Sequence, residues 1–331
     1  MIEPTFIPAQ NVFQASRLMK EHSASEAAFM AGGTDLLVLK RYRLVAPRAI
    51  IYLKRISGLT EIRPGEDGGL IVGALATLDE VARHPSIRQS YPMLAQAAFA
   101  VASPQIRHKA TLGGNICLNS RCWFYDHSPF WRAEYPECRK VLSAEEEAQG
   151  NDRCYLVPKN RRNCFALQSG DTLGPLVALG AKVRLVSDGG ERTLNVEEFF
   201  LGDAVNFLAK NPDEILTEVL LPPPREPGAF VKYRPQNNLD FATFTISALP
   251  PRNGGGSRIV VGCVASRPLR ARKAEALLDQ GAQDTEVVAR QAAKELKIIS
   301  PVRGSVAFKK QAIQAKLAEI LVDFKRNQSQ N

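Results

Sequence analysis

Long apolar runs are missing from this chain: no stretch of its 331 residues approaches the roughly eighteen consecutive apolar positions that a membrane-spanning helix needs. Its start, Met1-Ile2-Glu3-Pro4-Thr5, lacks the basic residues and apolar run of a secretion signal, so the expected location is the cytoplasm. Histidine is scarce, and His22, His84, His108 and His127 form no ligand or catalytic pattern. No internal repeat occurs. No nucleic-acid motif or aromatic interleaving accompanies the Lys and Arg, so the net charge of +9 reads as a solvated basic surface, or more sharply as a docking face for an acidic partner. Neither a GxGxxG loop nor a P-loop is present, which argues against a Rossmann domain.

What the chain does have is cysteine concentrated in one place. Of six cysteines, Cys122, Cys138, Cys154 and Cys164 fall in one irregular stretch, while Cys117 and Cys263 stand apart. A cytosolic setting disfavours disulfides, so the cluster points to a metal. Four soft thiolates are the usual number for a [4Fe–4S] cluster or a structural zinc. Zinc sites usually contain close C-x2–4-C pairs, and here the gaps are fifteen, fifteen and nine residues. The compact ferredoxin run is absent too, so spacing alone leaves both metals open. Trp123, Phe124, Tyr125, Phe130, Trp131 and Tyr135 are candidates to shield a cluster, or simply to pack the stretch. Arg121, Arg139, Arg153 and the run Lys159–Arg162 are candidates to offset thiolate charge. Cys263, in Ile259–Ala265, reads as a buried strand thiol.

Periodicity predicts a helix over 11–22, strands over 26–31 and 49–53, and a helical turn at Leu36–Leu39 between them. A hairpin follows from Ile62 through a Pro-Gly-rich loop to Leu70–Ala74. Leu78–His84 and Met93–Ala102 read as helices punctuated by Pro85 and Pro92. From about 118 to 169 no period holds, and a loop of that length needs something to tie it down. Helix then strand resume near Leu176 and Val183, with a turn at Asp188-Gly189-Gly190. Pro222–Gly228 reads as a linker, followed by strands near 229–234, 242–249 and 258–266 and helices over 270–281, 284–297 and 307–325. The last five residues, Asn327–Asn331, read as frayed. The expected division is 1–57, 58–221 with an insertion at about 118–169, and 226–331.

Two glycine pairs carry the binding argument. Ala31-Gly32-Gly33-Thr34-Asp35-Leu36 lies between a strand and a helical turn, where glycine lets backbone N–H groups approach an anion. Thr111-Leu112-Gly113-Gly114-Asn115 repeats the theme, and two such loops can grip both ends of an extended dinucleotide. With Gly73-Ala74-Leu75, Pro104-Gln105-Ile106-Arg107, Asp171–Ala181, Phe230–Arg234 and Asp240-Phe241-Ala242, these motifs resemble, in order and over nearly the whole chain, the FAD-binding subunits of the xanthine dehydrogenase family of molybdenum enzymes. In most members the segment matching Asp171–Ala181 follows the second glycine loop after only a few residues, whereas here it is displaced by about fifty. That insertion, with Cys117–Tyr125, Trp131-Arg132-Ala133, Cys138 and Asp152–Tyr155, resembles the one in the β subunit of 4-hydroxybenzoyl-CoA reductase.

The resemblance implies an α+β fold: a two-part FAD-binding domain of the PCMH/vanillyl-alcohol-oxidase-like type, plus a C-terminal three-stranded sheet with a helical layer. It implies FAD held by Ala31, Gly32, Gly33, Thr34, Asp35, Leu36, Thr77, Arg107, Thr111, Gly113, Gly114, Asn115, Asp171 and Lys232. Asp171 would accept from ribityl or ribose hydroxyls, or else act only as a helix N-cap; Lys232 would place a positive charge near the flavin, or else lie exposed on a strand. The insertion implies a [4Fe–4S] cluster on Cys122, Cys138, Cys154 and Cys164, with Cys117 competing for the fourth place. Implied partners are a large molybdopterin subunit and a small subunit with two [2Fe–2S] clusters, in a dimer of heterotrimers fed by a ferredoxin. Electrons would pass through the cluster and FAD to reductive dehydroxylation of an aromatic acyl-CoA on the large subunit. The alternative is a molybdenum hydroxylase sending electrons outward, and a third possibility is a zinc-stapled scaffold. No general acid or base is assigned to this chain.

Overall fold

A computed structural model of the chain describes residues 3–22, 26–135, 138–141, 153–158, 163–225, 227–236, 239–251, 256–299 and 304–328. Its first sheet is small and parallel, in the order β1 (Thr5–Pro8), β3 (Ala49–Tyr52), β2 (Ala27–Met30). Parallel strands of one sheet need a crossover, and α1 (Val12–His22) supplies the one from β1 to β2, which flank β3. Its Ala15 and Met19 share a core with Ala27, Ala49 and Ile51. β3 is paired on both edges, and its Ala49, Ile50 and Ile51 are all buried. The turn after β2 leads into α2 (Leu36–Arg41).

The second sheet is antiparallel, in the order β4 (Ile62–Pro64), β5 (Leu70–Gly73), β8 (Ile215–Leu221), β6 (Lys182–Ser187), β7 (Gly190–Asn195). The expected hairpin sets Ile62 opposite Val72 and Pro64 opposite Leu70. Between β5 and β6 run α3 (Leu78–Arg83), α4 (Pro85–Ser90), α5 (Pro92–Phe99), α6 (Pro104–Arg107), α7 (Leu112–Ile116), α8 (Pro129–Arg132) and α9 (Leu173–Leu179). Pro85, Pro92 and Pro104 each open a helix, where the missing N–H costs nothing. Thus Pro85 starts α4, a helix the periodicity did not show. α5 stops at Phe99, before the expected Ala102, which takes a positive φ of 40°.

The third sheet, also antiparallel, runs β12 (Leu269–Arg270), β11 (Arg258–Gly262), β10 (Phe244–Leu249), β9 (Ala229–Tyr233). It has one strand more than expected, and two residues are too few to show a period. Leu278, Val288, Ala292, Ile313 and Leu317, from α10 (Arg272–Asp279), α11 (Thr285–Glu295) and α12 (Val306–Gln328), share a core with Phe244 and Ile246. Asn327 and Gln328 continue α12, so the expected fraying does not begin there; 329–331 lie outside the described residues. Every residue of α9 is buried, and Gly174 approaches Ser247 so closely that a Cβ would sit 2.6 Å from its Oγ. Leu249 and Val260 share one core with Leu173 and Leu176. The parts on either side of Pro222–Gly228 are therefore packed together. Cys263 is buried but lies one residue past β11, at a φ of 62°.

The insertion is closed at its neck: Arg121 and Leu167 exchange both backbone N–H···O bonds, each 2.7 Å. Inside it Cys122, Tyr125, Cys164 and Ala166 form a small core with Ala204. Glu145–Glu147 and Lys159–Arg162 lie outside the described residues. Among the described residues no helix is long and apolar enough to cross a membrane.

Candidate cofactor sites

A cavity of about 620 Å³ opens at the carboxyl ends of β2 and β3 and is roofed by the insertion's neck and by Leu239, Asp240 and Phe241. Ala31 through Leu36 line it from one side and Thr111, Gly113, Gly114 and Asn115 from another. Asp171 and Lys232 complete the wall. The two glycine loops meet through backbone: a Cβ on Gly32 would stand 2.0 Å from the Lys109 carbonyl oxygen. Gly113 donates its N–H to Ala74 O at 2.8 Å, and a Cβ there would meet Ala74 Cβ at 2.8 Å. Thr111 caps α7, its Oγ1 accepting from Gly114 N at 3.1 Å. Glycine is thus required at Gly32 and Gly113 by close approach, leaving an open groove between the loops.

Two of the expected residues lie elsewhere. Thr77 is absent from the wall; it caps α3 in a reciprocal box with Glu80 and bridges to Thr111, so it supports the second loop from behind. Arg107 is buried, donates to Val101 O at 2.8 Å and Ala102 O at 3.2 Å, and lies 4.8 Å from the Phe99 ring. Both shape the site without facing the cavity.

Asp171 does not cap α9. Its Oδ2 accepts from Lys232 Nζ at 2.5 Å, and both side chains are only 5% exposed. Lys232 also donates to Ala100 O at 3.0 Å, so it is not a solvent-exposed strand lysine. Burial pushes the Asp171 carboxyl up to about 6, against the opposing pull of the Lys232 ammonium. Asp171 Oδ1 and Ser169 Oγ are buried with no hydrogen-bond partner among the described residues, and both residues line the cavity. Such orphaned atoms are costly unless a ligand satisfies them. Asn115 Oδ1 accepts from Thr172 N and Oγ1, tying the second loop to the start of α9. Glycine cradles, open oxygens and a buried cation fit an extended, hydroxyl-bearing anionic dinucleotide such as FAD.

A second, smaller pocket is lined by all four predicted cysteines, Cys122, Cys138, Cys154 and Cys164. Each is buried and none forms a disulfide. Cys117, the competitor, instead lines the large cavity. Burial drives Cys122 up to about 12 and Cys164 to about 11, and raises Cys138 as well. Metal coordination opposes this by holding thiolates. Among the described residues no three His, Cys, Asp or Glu groups stand close enough to hold a metal ion. That bears on a single ion, which draws sulfurs to roughly 2.3 Å from one point; a cubane spreads four ligands over four irons.

Phe124, Tyr125, Tyr155, Arg139 and Arg153 line the same pocket. Tyr135 meets Tyr155 edge-on, with centroids 4.9 Å apart, and Trp131 at a tilt, with centroids 4.5 Å apart. Phe130, expected to shield the thiols, is 88% exposed. Arg121 faces the large cavity, where it pairs with Asp35. Burial raises the Asp35 pKa despite that cation. Sequence reasoning missed Lys140, which lines the thiol pocket and whose Nζ donates to Asn119 Oδ1, Ser120 Oγ and Ala204 O at 3.0, 2.7 and 2.7 Å. No sequence signal marks it.

The family described as FAD binding domain in molybdopterin dehydrogenase matches residues 3–224, and the CO dehydrogenase flavoprotein C-terminal domain matches residues 252–323. The aldehyde oxidoreductase FAD-binding subunit PaoB of Escherichia coli (strain K12) is 31% identical over 284 residues, covering 83% of this chain and 85% of its own. The nicotinate dehydrogenase FAD-subunit of Eubacterium barkeri is 26% identical, covering 96% and 95%. Quinoline 2-oxidoreductase from Pseudomonas putida 86 contains a chain of the same fold, with TM-score 0.75 at 21% identity and coverage of 97% and 96%.

Proposed function

This chain belongs to the FAD-binding medium subunits of the xanthine dehydrogenase and CO dehydrogenase family of molybdenum enzymes, and we propose that it is the electron-transfer subunit of a molybdenum hydroxylase that oxidises an aldehyde. The substrate chemistry would lie on a large molybdopterin subunit, linked to this chain through a small [2Fe–2S] subunit. The carrying observation is the cavity in which both glycine loops, Asp171 and Lys232 converge. The aldehyde class rests on similarity to PaoB, named as an aldehyde oxidoreductase subunit.

When bound, FAD supplies the exchange between two-electron and one-electron transfer. Ala31–Leu36 and Thr111–Asn115 hold its pyrophosphate. The unpartnered Oδ1 of Asp171 would accept a hydrogen bond from one of its hydroxyls. Lys232, buried and held by Asp171 and Ala100, keeps a positive charge in the wall. No residue moves a substrate proton. Cys122, Cys138, Cys154 and Cys164 would hold a [4Fe–4S] cluster, which would supply one-electron steps when bound. Phe124, Tyr125 and Tyr155 exclude water from it, and Lys140, Arg139 and Arg153 offset its charge.

One observation favours a second reading. The cysteine insertion resembles that of 4-hydroxybenzoyl-CoA reductase, in which ferredoxin would feed electrons inward to an aromatic acyl-CoA. The two directions separate in one experiment on the assembled complex, purified without oxygen. Bleaching of the flavin by an aromatic aldehyde supports the hydroxylase. Flavin inert to aldehydes, but reduced by ferredoxin and reoxidised by an aromatic acyl-CoA, overturns it. Iron and sulfide analysis of the same sample tests the cluster, and zinc in their place removes it.

A further inference from the structure

Among the described residues four carboxylates line the large cavity: Asp35, Asp171, Glu214 and Asp240. A carboxylate in an anion site repels its ligand unless its charge is offset. Asp171 is paired with Lys232, and Glu214 accepts from Arg192 at 2.6 Å. Asp35 poses the sharpest conflict, because it belongs to the first glycine loop. Its cation comes from neither loop; it is Arg121, at the neck of the cysteine insertion.

We infer that Arg121 is a positioning residue for the flavin: the insertion lends its guanidinium to the large cavity, where it neutralises Asp35 and so allows the first glycine loop to accept a pyrophosphate. This rests on the placement of FAD proposed above. Arg121 is well held for the task. Its backbone is locked to Leu167 by two hydrogen bonds, and its guanidinium lies 5.6 Å from the Phe241 ring centroid. The same side chain thus touches the first loop, the insertion and the residues that follow β9. Its Nε is buried without a hydrogen-bond partner among the described residues, which leaves one donor unused on the cavity wall. Its Nη1 also lies 3.9 Å from Asp126 Oδ1, whose other oxygen accepts from Cys122 N, so the same guanidinium faces a second carboxylate inside the insertion.

The test is a titration of the full chain, stripped of flavin, with FAD at fixed salt, followed by flavin fluorescence. Arg121→Gln weakens FAD binding at least about tenfold, and adding Asp35→Asn to it restores affinity to within about threefold of the parent. Arg121→Gln binding like the parent overturns the inference, and so does a double variant as weak as the single one. Should Arg121→Gln fail to fold, as read by far-UV circular dichroism, Arg121→Lys keeps the charge. It then holds FAD within about threefold of the parent, and a loss of about tenfold in a folded Arg121→Lys chain overturns the inference. A parent chain that takes up no FAD overturns the flavin placement itself, a result distinct from a parent and an Arg121→Gln chain that bind equally.

Discussion

Lys232 Nζ stands 2.5 Å from Asp171 Oδ2, and only a twentieth of either side chain meets solvent. Breaking a buried pair by removing one partner strands the other charge, at a cost of about 3–5 kcal/mol. Lys232→Met is therefore expected to destabilise the flavin-free chain by that order in denaturant unfolding. Lys232→Met with Asp171→Asn recovers most of it, because no uncompensated charge remains. Equal destabilisation in the single and double variants would show that packing, rather than charge, is at stake.

The same carboxyl sets a pH dependence whose sign can be worked out. Burial raises Asp171 from the free value of 3.8 to about 6, so folding favours its protonated form. Its contribution to stability is full below 3.8 and is lost as pH rises through about 6. Asp171→Asn should flatten the stability profile of the flavin-free chain across that window. Lys232→Met removes the cation that lowers the pKa, and should move the upper edge of the window to higher pH. Urea midpoints at closely spaced pH values check both.

Gly32 has no room for even a methyl group, since a Cβ would lie 2.0 Å from a carbonyl oxygen. Gly32→Ala must part the two glycine loops and is expected to weaken FAD by about tenfold or more. Gly58→Ala is the control: a Cβ there meets nothing, so only its φ of 81° is strained. It should cost about 1 kcal/mol of stability while leaving flavin occupancy intact. Flavin-to-protein ratios after gel filtration decide the matter, and full occupancy in Gly32→Ala would mean the loops can separate without harm.

Cys164 shares a pocket with Cys122, Cys138 and Cys154, whereas Cys117 does not. Cys164→Ser and Cys138→Ser should remove bound iron and sulfide while flavin stays. Cys117→Ser should keep both. Iron retained in Cys164→Ser but lost in Cys117→Ser would exchange their assignments.

Lys140 offers a finer test of the same pocket. Removing a cation beside a redox centre stabilises the oxidised state, so Lys140→Met should lower the cluster midpoint by some tens of millivolts. An electron paramagnetic resonance titration reads that directly, and an unmoved potential would leave Lys140 a purely structural prop for Ser120 and Ala204.

Much of this was legible in the residues. The glycine pairs were legible because close backbone approach demands glycine, whereas the aspartate before α9 and the lysine of β9 were reached through the family resemblance; all line one cavity. Four spaced cysteines likewise marked a common pocket. What could not be read was tertiary. Nothing in Thr77 or Arg107 separates facing a ligand from supporting the loop that faces it. Lys140 looks like any basic residue until Asn119, Ser120 and Ala204 surround it. Strand β12 was too short for periodicity, and α4 was hidden because Pro85 signals both an ending and a beginning.

The neck between Arg121 and Leu167 also bears on modularity. Chain enters and leaves the insertion at two residues that are directly paired, a two-bond clasp to which Lys140, Cys164 and Tyr125 add bonds to Ala204, Asp203 and Leu44. Such a clasp is a natural graft point. Closing the same positions with a tight turn leaves every sheet in register, since none of the strands described above lies within 122–166. Replacing 122–166 by a turn should return a folded flavoprotein that has lost only its second site.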